Sequence, residues 1–416
     1  MPRAAVGAKG GLLRGNGLCQ GEVVTEPRSF DAIILGAGGA GLMCAAVAGQ
    51  RGRRVAVVDH RPEPGAKIVI SGGGRCNFTN REAAPDRYLS ANPHFAKSAL
   101  GRYLPEDFLA LVERHGIAWH EKTLGQLFCD GSARQIVRML LDECPAATVS
   151  WHLGEPIRDV AHADGCFRVV TEAGSYQAPA LVVATGGPSI PKLGATGFAY
   201  DLARRFGLKV VEPRPALVPM TLPGDEALFR ELSGIAVPVV ARCGATRFAE
   251  AALFTHRGLS GPAILQISSY WRHGQAVVID FLADQPAGWL RELKRAQPNT
   301  TLRRALSSVV PDRLAGALAE RLNGAEALGR SRDALLTEQE MRLRGWTFRP
   351  NGTEGFAKAE VTVGGVSTDG LSQRDLSARH LPGLYIIGEA VDVTGWLGGY
   401  NFHWAWASGW AAAQSL

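Results

Sequence analysis

The chain lacks the signals that mark several classes of protein. No stretch reaches the roughly 18 consecutive apolar residues of a membrane span, so none is expected. The seven cysteines include no CxxC pair, which favours reduced thiols in a cytoplasmic protein over a disulfide framework or a zinc knuckle. The ten histidines show no HExxH or other close metal spacing, so no metal site is predicted. Only one GxGxxG motif is present, so no second motif is available for NAD(P)H.

The overall composition sets limits on size and partners. With 416 residues, the chain is too long for one compact core, and its length predicts two or three lobes. Its formal charge of +6 is too mild by itself to indicate a nucleic-acid partner. Residues 1–29 are rich in Gly, Ala and Arg and lack the apolar core of a signal peptide, so we expect a disordered extension there.

A dinucleotide-binding unit is predicted from residue 30 onward. A buried strand over 31–35, an apolar helix over 41–50 and a second strand over 55–58 flank a glycine turn. The predicted cofactor contacts of this unit are Gly36, Gly38, Gly39, Ala40, Gly41 and Asp59. In GxGxxG, the first glycine makes the tight turn, the second admits a pyrophosphate, and the third packs helix against strand. Asp59 can accept hydrogen bonds from a ribose hydroxyl, which favours FAD or NAD over NADP.

A glycine-rich loop, SGGGRCNFTN, follows this unit at residues 71–80. Three successive glycines contribute nothing to a core helix or strand, but they let the backbone approach a large ligand closely. Within the loop, Cys76 is either a catalytic or flavin-facing thiol or an ordinary packing cysteine. Lys67 precedes the loop and is predicted to contact an anion, with a solvated surface lysine as the alternative.

Three further side chains are candidate proton donors. Cys129 precedes a helix predicted over 132–143, whose dipole would lower the pKa of the thiol; Asp130 opposes that shift, and plain core packing is the alternative. His256 lies in LFTHRGLSGPAILQ at a predicted strand-to-helix turn, where a purely structural role is the alternative. Tyr400 is predicted to begin the final helix.

Two later segments extend the predicted cofactor site. ALVVATGG is a buried strand that ends in glycines, and GLYIIGEAVDVTGWLGGYN joins a strand to the start of a helix. The N–H groups at that helix start would stabilise negative charge at the pyrimidine edge of a flavin.

The middle of the chain has a different composition. Residues 190–285 contain short, Val-rich strands with prolines and predict a barrel-like β lobe. Residues 286–349 predict helices and hold twelve Lys or Arg against seven Asp or Glu, so +5 of the formal +6 lies in this segment. That concentration favours a polyanionic partner, with solvated amphipathic helices as the alternative.

These motifs together carry a family resemblance. GAGGAG with Asp59, PGAKIVISGGGRCNFTN, ATGG, LFTHRGLSGPAILQ, EVTVGGV and GLYIIGEAVDVTGWLGGYNFHWAW resemble the BaiN-like flavoproteins, also known as the aminoacetone oxidase family. HGIAWHEKTLGQLFCDGSARQIV and FTHRGLSGPAILQISSYW resemble the branch of this family that contains bacterial ribosomal RNA dihydrouridine synthases. The resemblance runs from about residue 30 to the C-terminus.

The resemblance implies an α/β fold in two parts. A doubly wound, Rossmann-like FAD-binding domain over 30–189 and 350–416 would be split by an inserted β-barrel at 190–285 and a helical lobe at 286–349. The FAD contacts it implies beyond the first unit are Lys67, Ser71, Gly72, Gly73, Gly74, Asn77, Thr185, Gly186, Gly388, Glu389, Gly398, Gly399, Tyr400 and Asn401.

The activity implied is reduction of a C=C bond by an FAD-dependent oxidoreductase, with NAD(P)H as a transient reductant. The expected substrate is a uridine of 23S ribosomal RNA, whose phosphates the basic helical lobe would contact. The candidate acids are Cys76, Cys129, His256 and Tyr400. Two alternatives stay open. One is a small-molecule flavoenzyme, such as a 3-dehydro-bile-acid-type reductase or an aminoacetone oxidase, and the other is a flavin-containing RNA-binding factor without turnover.

Overall fold

The computed structural model describes residues 26–224 and 231–416. Its strands are, in chain order, β1 (Arg28–Ser29), β2 (Ala32–Leu35), β3 (Val55–Asp59), β4 (Asn77–Asn80), β5 (Tyr88–Leu89), β6 (Trp119–Glu121), β7 (Gln126–Cys129), β8 (Val149–Leu153), β9 (Ile157–Ala163), β10 (Cys166–Thr171), β11 (Ser175–Ala178), β12 (Ala180–Val183), β13 (Val210–Ala216), β14 (Met220–Thr221), β15 (Ala236–Cys243), β16 (Thr246–Thr255), β17 (Gly258–Ser260), β18 (Val277–Asp280), β19 (Trp346–Phe348), β20 (Gly352–Thr353), β21 (Val361–Val366), β22 (Leu384–Ile386) and β23 (Thr394–Gly395).

The α-helices are, in chain order, α1 (Gly39–Gln50), α2 (Ala66–Ile70), α3 (Lys97–Arg102), α4 (Pro105–Arg114), α5 (Arg134–Asp142), α6 (Phe198–Arg205), α7 (Pro262–Tyr270), α8 (Trp289–Ala296), α9 (Leu302–Leu306), α10 (Asp312–Arg321), α11 (Asp333–Arg344) and α12 (Tyr400–Ala413). Among the described residues, no helix has both the length and the apolar character that crossing a membrane requires.

A five-stranded parallel sheet forms the centre of the larger lobe, in the order β22-β12-β2-β3-β8. The runs AIIL of β2 and VAVV of β3 are fully buried, as expected for parallel strands that are covered on both faces. Helices α1 and α12 cross closely, since a Cβ on Gly409 would lie 2.5 Å from the Ala40 carbonyl oxygen. The predicted Rossmann-like α/β domain is therefore confirmed.

Smaller sheets surround this core. One has the order β1-β11-β10-β9, and another has the order β4-β7-β6. Residues 1–25 of the predicted disordered extension lie outside the described residues. The prediction is wrong for residues 28–29, because β1 pairs in parallel with β11 and so has partners for its backbone groups.

The inserted lobe has its own sheet and its own hydrophobic core. Seven antiparallel strands lie in the order β19-β18-β15-β16-β17-β14-β20. Helices α7 to α11 contribute buried side chains to the same core, which is distinct from the core of the parallel sheet. The strand order is linear between the edge strands β19 and β20, and no pairing joins these two edges among the described residues, so the barrel detail of the predicted barrel-like β lobe is not confirmed.

The boundaries of the inserted lobe differ from the predicted ones at 190 and 349. Helix α6 buries Ala199, Tyr200 and Leu202 in the core of the parallel sheet. Strand β20 belongs to the sheet of the insert although it follows residue 349. Strands β13 and β21 pair with each other and carry the chain into and out of the insert. These contacts place the crossing points near residues 217 and 360.

Candidate functional site

A cavity of about 590 Å³ lies at the carboxyl edge of the parallel sheet. Its walls come from the segments that follow β2, β3, β12 and β22, together with the loop at residues 71–73 and the segment before α12. Parallel strands end at the same edge of a sheet, which is where open α/β folds bind their ligands. The cavity therefore collects segments that are far apart in the sequence.

Many of the predicted cofactor residues line this cavity. They are Gly36, Gly38, Gly39, Ala40, Asp59, Lys67, Ser71, Gly72, Gly73, Asn77, Thr185, Gly186, Gly388, Glu389, Gly398, Gly399 and Asn401. Gly41, Gly74 and Tyr400 lie outside the lining. Contact of each residue with FAD stays a prediction.

The GxGxxG turn uses its glycines in different ways. A Cβ on Gly41 would lie 1.9 Å from the Gly36 carbonyl oxygen, so this position holds α1 tightly against the end of β2. A Cβ on Gly38 would meet no atom within 4 Å, and Gly38 faces the cavity as the N-cap of α1. Open space at the N-terminus of a helix is suited to a phosphate.

Asp59 is held in place by the backbone around it. Its Oδ2 accepts a hydrogen bond from Ala37 N at 2.7 Å, and its Oδ1 accepts one from Arg61 N at 2.8 Å. A carboxylate has about four acceptor positions, so it can still accept bonds from a ribose. The acid is thus fixed at the end of β3 beside the glycine turn.

The glycine-rich loop has a backbone that other residues rarely adopt. Gly72, Gly73 and Gly74 have φ values of 55°, 67° and 85°, and a left-handed run of this kind favours glycine at each position. Gly74 O accepts a hydrogen bond from Ala133 N at 2.7 Å, which ties the loop to the start of α5. Gly72 and Gly73 therefore present main chain to the cavity.

Lys67 lies in a compact polar cluster. Its Nζ lies 2.5 Å from Oε2 of Glu389 and 2.5 Å from the hydroxyl of Ser189. Ser189 donates to Oε1 of Glu389 at 2.6 Å, and Thr362 N donates to the same oxygen at 3.0 Å. The anion that contacts Lys67 in this structure is thus a carboxylate of the protein.

The segment before α12 closes the other end of the cavity. Gly398 and Gly399 have φ values of 113° and 95°, and a Cβ on Gly399 would lie 2.3 Å from the Thr79 carbonyl oxygen. Asn401 clamps this segment, since its side chain accepts from Gly395 N at 2.8 Å and donates to Gly395 O at 2.9 Å. The first N–H groups of a 14-residue helix are thereby placed at the cavity.

The candidate cysteines lie in the core. Cys76 and Cys129 are both 0% exposed, and neither thiol lines the cavity. Burial raises the pKa of Cys76, and burial followed by the charge of Asp130 raises the pKa of Cys129 to about 12. The expectation that a helix dipole lowers the pKa of Cys129 is therefore wrong. The thiol lies on β7 inside the core, and α5 begins only at Arg134.

The other two candidate acids are also absent from the lining of the cavity. His256 is exposed on the turn between β16 and β17, so the predicted strand-to-helix turn is instead a hairpin, and α7 begins only at Pro262. Tyr400 is 5% exposed, with its ring edge-on to Tyr88, and burial raises its pKa to about 12. The structure thus brings none of the four candidates to the lining of the cavity.

Several lining residues were not singled out from the sequence. Glu360, Leu217 and Val361 form one wall where the two lobes meet, and Phe128 and Trp396 form others. Trp396 donates its Nε1 hydrogen to the Tyr270 hydroxyl at 2.7 Å across the boundary between the lobes. Glu360 and Trp396 stand in the quoted motifs EVTVGGV and GWLGGYN, which are the signals that could have identified them.

The residues present fit FAD. The volume is within the range of about 300–1,000 Å³ that is usual for ligand pockets. The hydroxyl of Thr185 is buried and has no hydrogen-bond partner among the described residues, so a bound ligand could satisfy it. Gly38 and Gly73 line the cavity, and a Cβ on either would meet no atom within 4 Å, so both positions leave open space. No cluster suited to a metal ion occurs in residues 26–224 or 231–416.

Comparisons with known proteins find a family and relatives that match nearly the whole chain. The family model described as "HI0933-like protein Rossmann domain" matches residues 30–415. The ribosomal RNA dihydrouridine synthase of Escherichia coli is 52% identical over 93% of this chain and 98% of its own length, and that of Haemophilus influenzae is 45% identical over 92% and 98%. The 3-dehydro-bile acid delta(4,6)-reductase of Clostridium scindens is 27% identical over 92% and 98%.

Proposed function

The chain belongs to the HI0933-like family of FAD-dependent oxidoreductases, and on that premise we propose that it reduces a uridine of 23S ribosomal RNA to dihydrouridine. The observation that carries this proposal is the 52% identity, over nearly the full length of both chains, to a protein named ribosomal RNA dihydrouridine synthase. The proposed substrate places the protein in the cytoplasm. NAD(P)H is the proposed reductant, visiting the flavin transiently because the sequence has a single GxGxxG.

Bound FAD would supply the hydride, and the chain would hold and orient it. Gly38 and the N-terminus of α1 would accommodate the pyrophosphate, and Asp59 would accept from the ribose. The N–H groups at Gly399 and the start of α12 would stabilise negative charge at the pyrimidine edge of the ring. The inserted lobe meets this end of the cavity at Leu217 and Trp396, so the RNA base would enter between the two lobes.

The basic helical lobe is the proposed RNA contact. Arg291 and Arg295 are exposed on α8 and form no ion pair with the described residues, while Lys294 between them pairs with Asp333 at 2.7 Å. The hydrogen bond and charge of Lys294, followed by the charges of Arg291 and Arg295, lower the pKa of Asp333. Three cations, Arg291, Lys294 and Arg295, thus lie with two carboxylates, Glu292 and Asp333, and the remaining positive charge suits a phosphate backbone.

Removal of positive charge from α8 should weaken RNA binding without changing the FAD content of the protein. We expect the R291Q/R295Q double variant to bind ribosomal RNA roughly tenfold more weakly, with a salt slope shallower by about 2. Filter binding across a range of salt concentrations measures both quantities. The matched control is R168Q/K209Q, which removes two exposed cations from the larger lobe. Equal weakening by the two double variants would contradict a specific RNA contact at α8.

Deletion of the gene tests the proposed function itself. We expect mass-spectrometric mapping to show loss of one dihydrouridine of 23S ribosomal RNA in the deletion strain, and its return on complementation. Unchanged dihydrouridine in the deletion strain would overturn the proposal. The small-molecule alternative has support from the resemblance to the bile-acid reductase, and it predicts turnover of an unsaturated ketone with no change in the RNA.

A further inference from the structure

Glu360 has a carboxyl in the cavity that is neither a predicted cofactor contact nor one of the candidate acids, and it lies where the two lobes meet. It directly precedes β21, and its backbone N donates to Leu217 O at 3.2 Å. Glu360 lines the cavity, where protein walls surround the residue but leave it accessible from the open space. Neither a hydrogen bond nor an ion pair from the described residues holds this carboxyl. It therefore differs from Asp59, whose two oxygens are both engaged by backbone N–H groups.

The surroundings of Glu360 place it toward the flavin-ring end of the proposed cofactor. Leu217 and Val361 pack in one small apolar cluster with Leu397, and all three line the cavity. Leu397 immediately precedes Gly398 and Gly399, which lead into α12. Through Leu217 and Val361, Glu360 thus adjoins the segment proposed for the pyrimidine edge.

Two glutamates of this cavity interact with Lys67, one through a direct contact and the other only through its charge. Glu389 holds Lys67 at 2.5 Å and accepts further bonds from Ser189 and Thr362 N, so both of its oxygens are engaged by the protein. Glu360 feels Lys67 only through its charge, and enclosure by the protein outweighs that attraction and raises the pKa of Glu360. A carboxyl that lines the cavity, has no protein partner and has surroundings that favour its protonated form is suited to serve as an acid.

We propose that Glu360 is the acid that protonates the substrate during C=C reduction, an inference that rests on the proposed function. One carbon of the uracil C=C bond receives the hydride of the reduced flavin, and its neighbour receives the carboxyl proton of Glu360. The flavin is oxidised by two electrons, the double bond becomes a single bond, and Glu360 is left as a carboxylate. Solvent returns the proton, and NAD(P)H reduces the flavin again. Glu360 then replaces the four candidate acids predicted from the sequence, which are Cys76, Cys129, His256 and Tyr400.

The isosteric variant Glu360→Gln separates proton donation from every other step. It keeps the size of the side chain at an exposed position, so folding and FAD content are expected to match those of the wild type. Anaerobic bleaching of the flavin by NAD(P)H should also be unchanged. Oxidation of the reduced enzyme by ribosomal RNA in a single turnover should slow by at least about 100-fold, since a general acid contributes typically 10²–10⁴-fold. Glu360→Asp, which keeps a carboxyl, should retain part of the rate.

The pH profile provides a second readout with a defined sign. The acid must be protonated, so the single-turnover rate of the wild type should fall as pH rises through the raised pKa of Glu360. The other titratable or charged groups that line the cavity are Asp59, His60, Arg61, Glu63, Lys67 and Glu389. Glu360→Gln keeps all of these, so a rate that no longer varies over the same pH range assigns the titration to Glu360.

An infrared measurement reports on the carboxyl without any turnover. The wild type should show the C=O stretch of a protonated carboxylic acid that disappears as pH is raised, and Glu360→Gln should lack that component. Glu212→Gln is the matched control, because Glu212 is exposed on β13, the strand that pairs with β21, and lies outside the cavity lining. This control should keep both the band and the rate.

The outcomes separate the inference from the function on which it rests. If wild-type enzyme forms dihydrouridine and Glu360→Gln does so equally fast, the inference is overturned and the proposed function stands. If reduced wild-type enzyme forms no dihydrouridine, the proposed function is overturned and the inference falls with it. Slow RNA oxidation, normal flavin bleaching and a missing infrared component in Glu360→Gln alone support the inference.

Discussion

Replacing Gly41 by alanine is expected to prevent the larger lobe from folding. The added Cβ would lie 1.9 Å from the Gly36 carbonyl oxygen, which is main chain and cannot rotate away as a side chain can. Relief of that contact requires α1 to move off the end of β2, and α1 is buried against both the parallel sheet and α12. Ordinary overpacking costs about 1–3 kcal/mol, and a backbone collision of this depth should exceed that. Total stability of a domain is only about 5–15 kcal/mol.

The measurement is a thermal melt followed by circular dichroism, with recovery of soluble protein as a second readout. Gly101→Ala is the matched control, because Gly101 lies in α3 and a Cβ there would meet no atom within 4 Å. Alanine is favoured over glycine in a helix by about 0.5–1 kcal/mol, so this control should be neutral or slightly stabilised. A Gly41→Ala protein that melts with the wild type would contradict the packing described for α1.

Replacing Gly38 by valine is expected to have the opposite phenotype, a folded protein without cofactor. Gly38 has an extended backbone, with φ of −82° and ψ of −174°, which a valine can adopt. A Cβ there meets no protein atom within 4 Å but projects into the space proposed for the pyrophosphate. Loss of that space should weaken FAD binding by at least about 100-fold, or about 2.8 kcal/mol.

The flavin-to-protein absorbance ratio after purification measures this loss, and titration of the apoprotein with FAD measures the affinity. Far-ultraviolet circular dichroism should be that of the wild type, which distinguishes Gly38→Val from Gly41→Ala. Stoichiometric FAD in Gly38→Val would mean that the pyrophosphate does not lie at this turn. The assignment of helix packing to Gly41 and of pyrophosphate binding to Gly38 would then be wrong for Gly38.

The sequence predicted the parts of the site that depend on local pattern. The strand, glycine turn, helix and acid from residue 30 to Asp59 depend on short-range periodicity, and the structure places them within one or two residues of the predicted bounds. The run of glycines at 72–74 could also be predicted to form a close-approach loop, since consecutive left-handed residues favour glycine. Neither inference required knowledge of distant contacts.

Burial and long-range pairing could not be predicted from the sequence. Cys129 lies five residues before α5 in the chain, yet the thiol lies in the core because β7 pairs with both β4 and β6. Lys67 and Glu389 are separated by 322 positions, and only the folded sheet brings them to 2.5 Å. Glu360 appears in a quoted motif, but its exposure to the cavity depends on how the two lobes meet.

The boundaries of the inserted lobe were misplaced for a related reason. The change in composition at residue 190 predicts the start of the inserted lobe there. The structure shows that α6, which follows it, packs back into the core of the parallel sheet. A change in composition marks a loop, whereas a domain boundary is set by which core a helix joins, and only the contacts reveal that.

Reconstitution of the reaction from purified components tests whether this protein itself forms dihydrouridine in 23S ribosomal RNA. Purified, FAD-loaded protein is incubated with NAD(P)H and 23S ribosomal RNA from the deletion strain, and the nucleosides are analysed by mass spectrometry. We expect one uridine to gain two hydrogens with the wild-type protein, and no product to form with the FAD-free Gly38→Val protein. Unmodified uridine after complete reduction of the wild-type flavin would contradict this expectation.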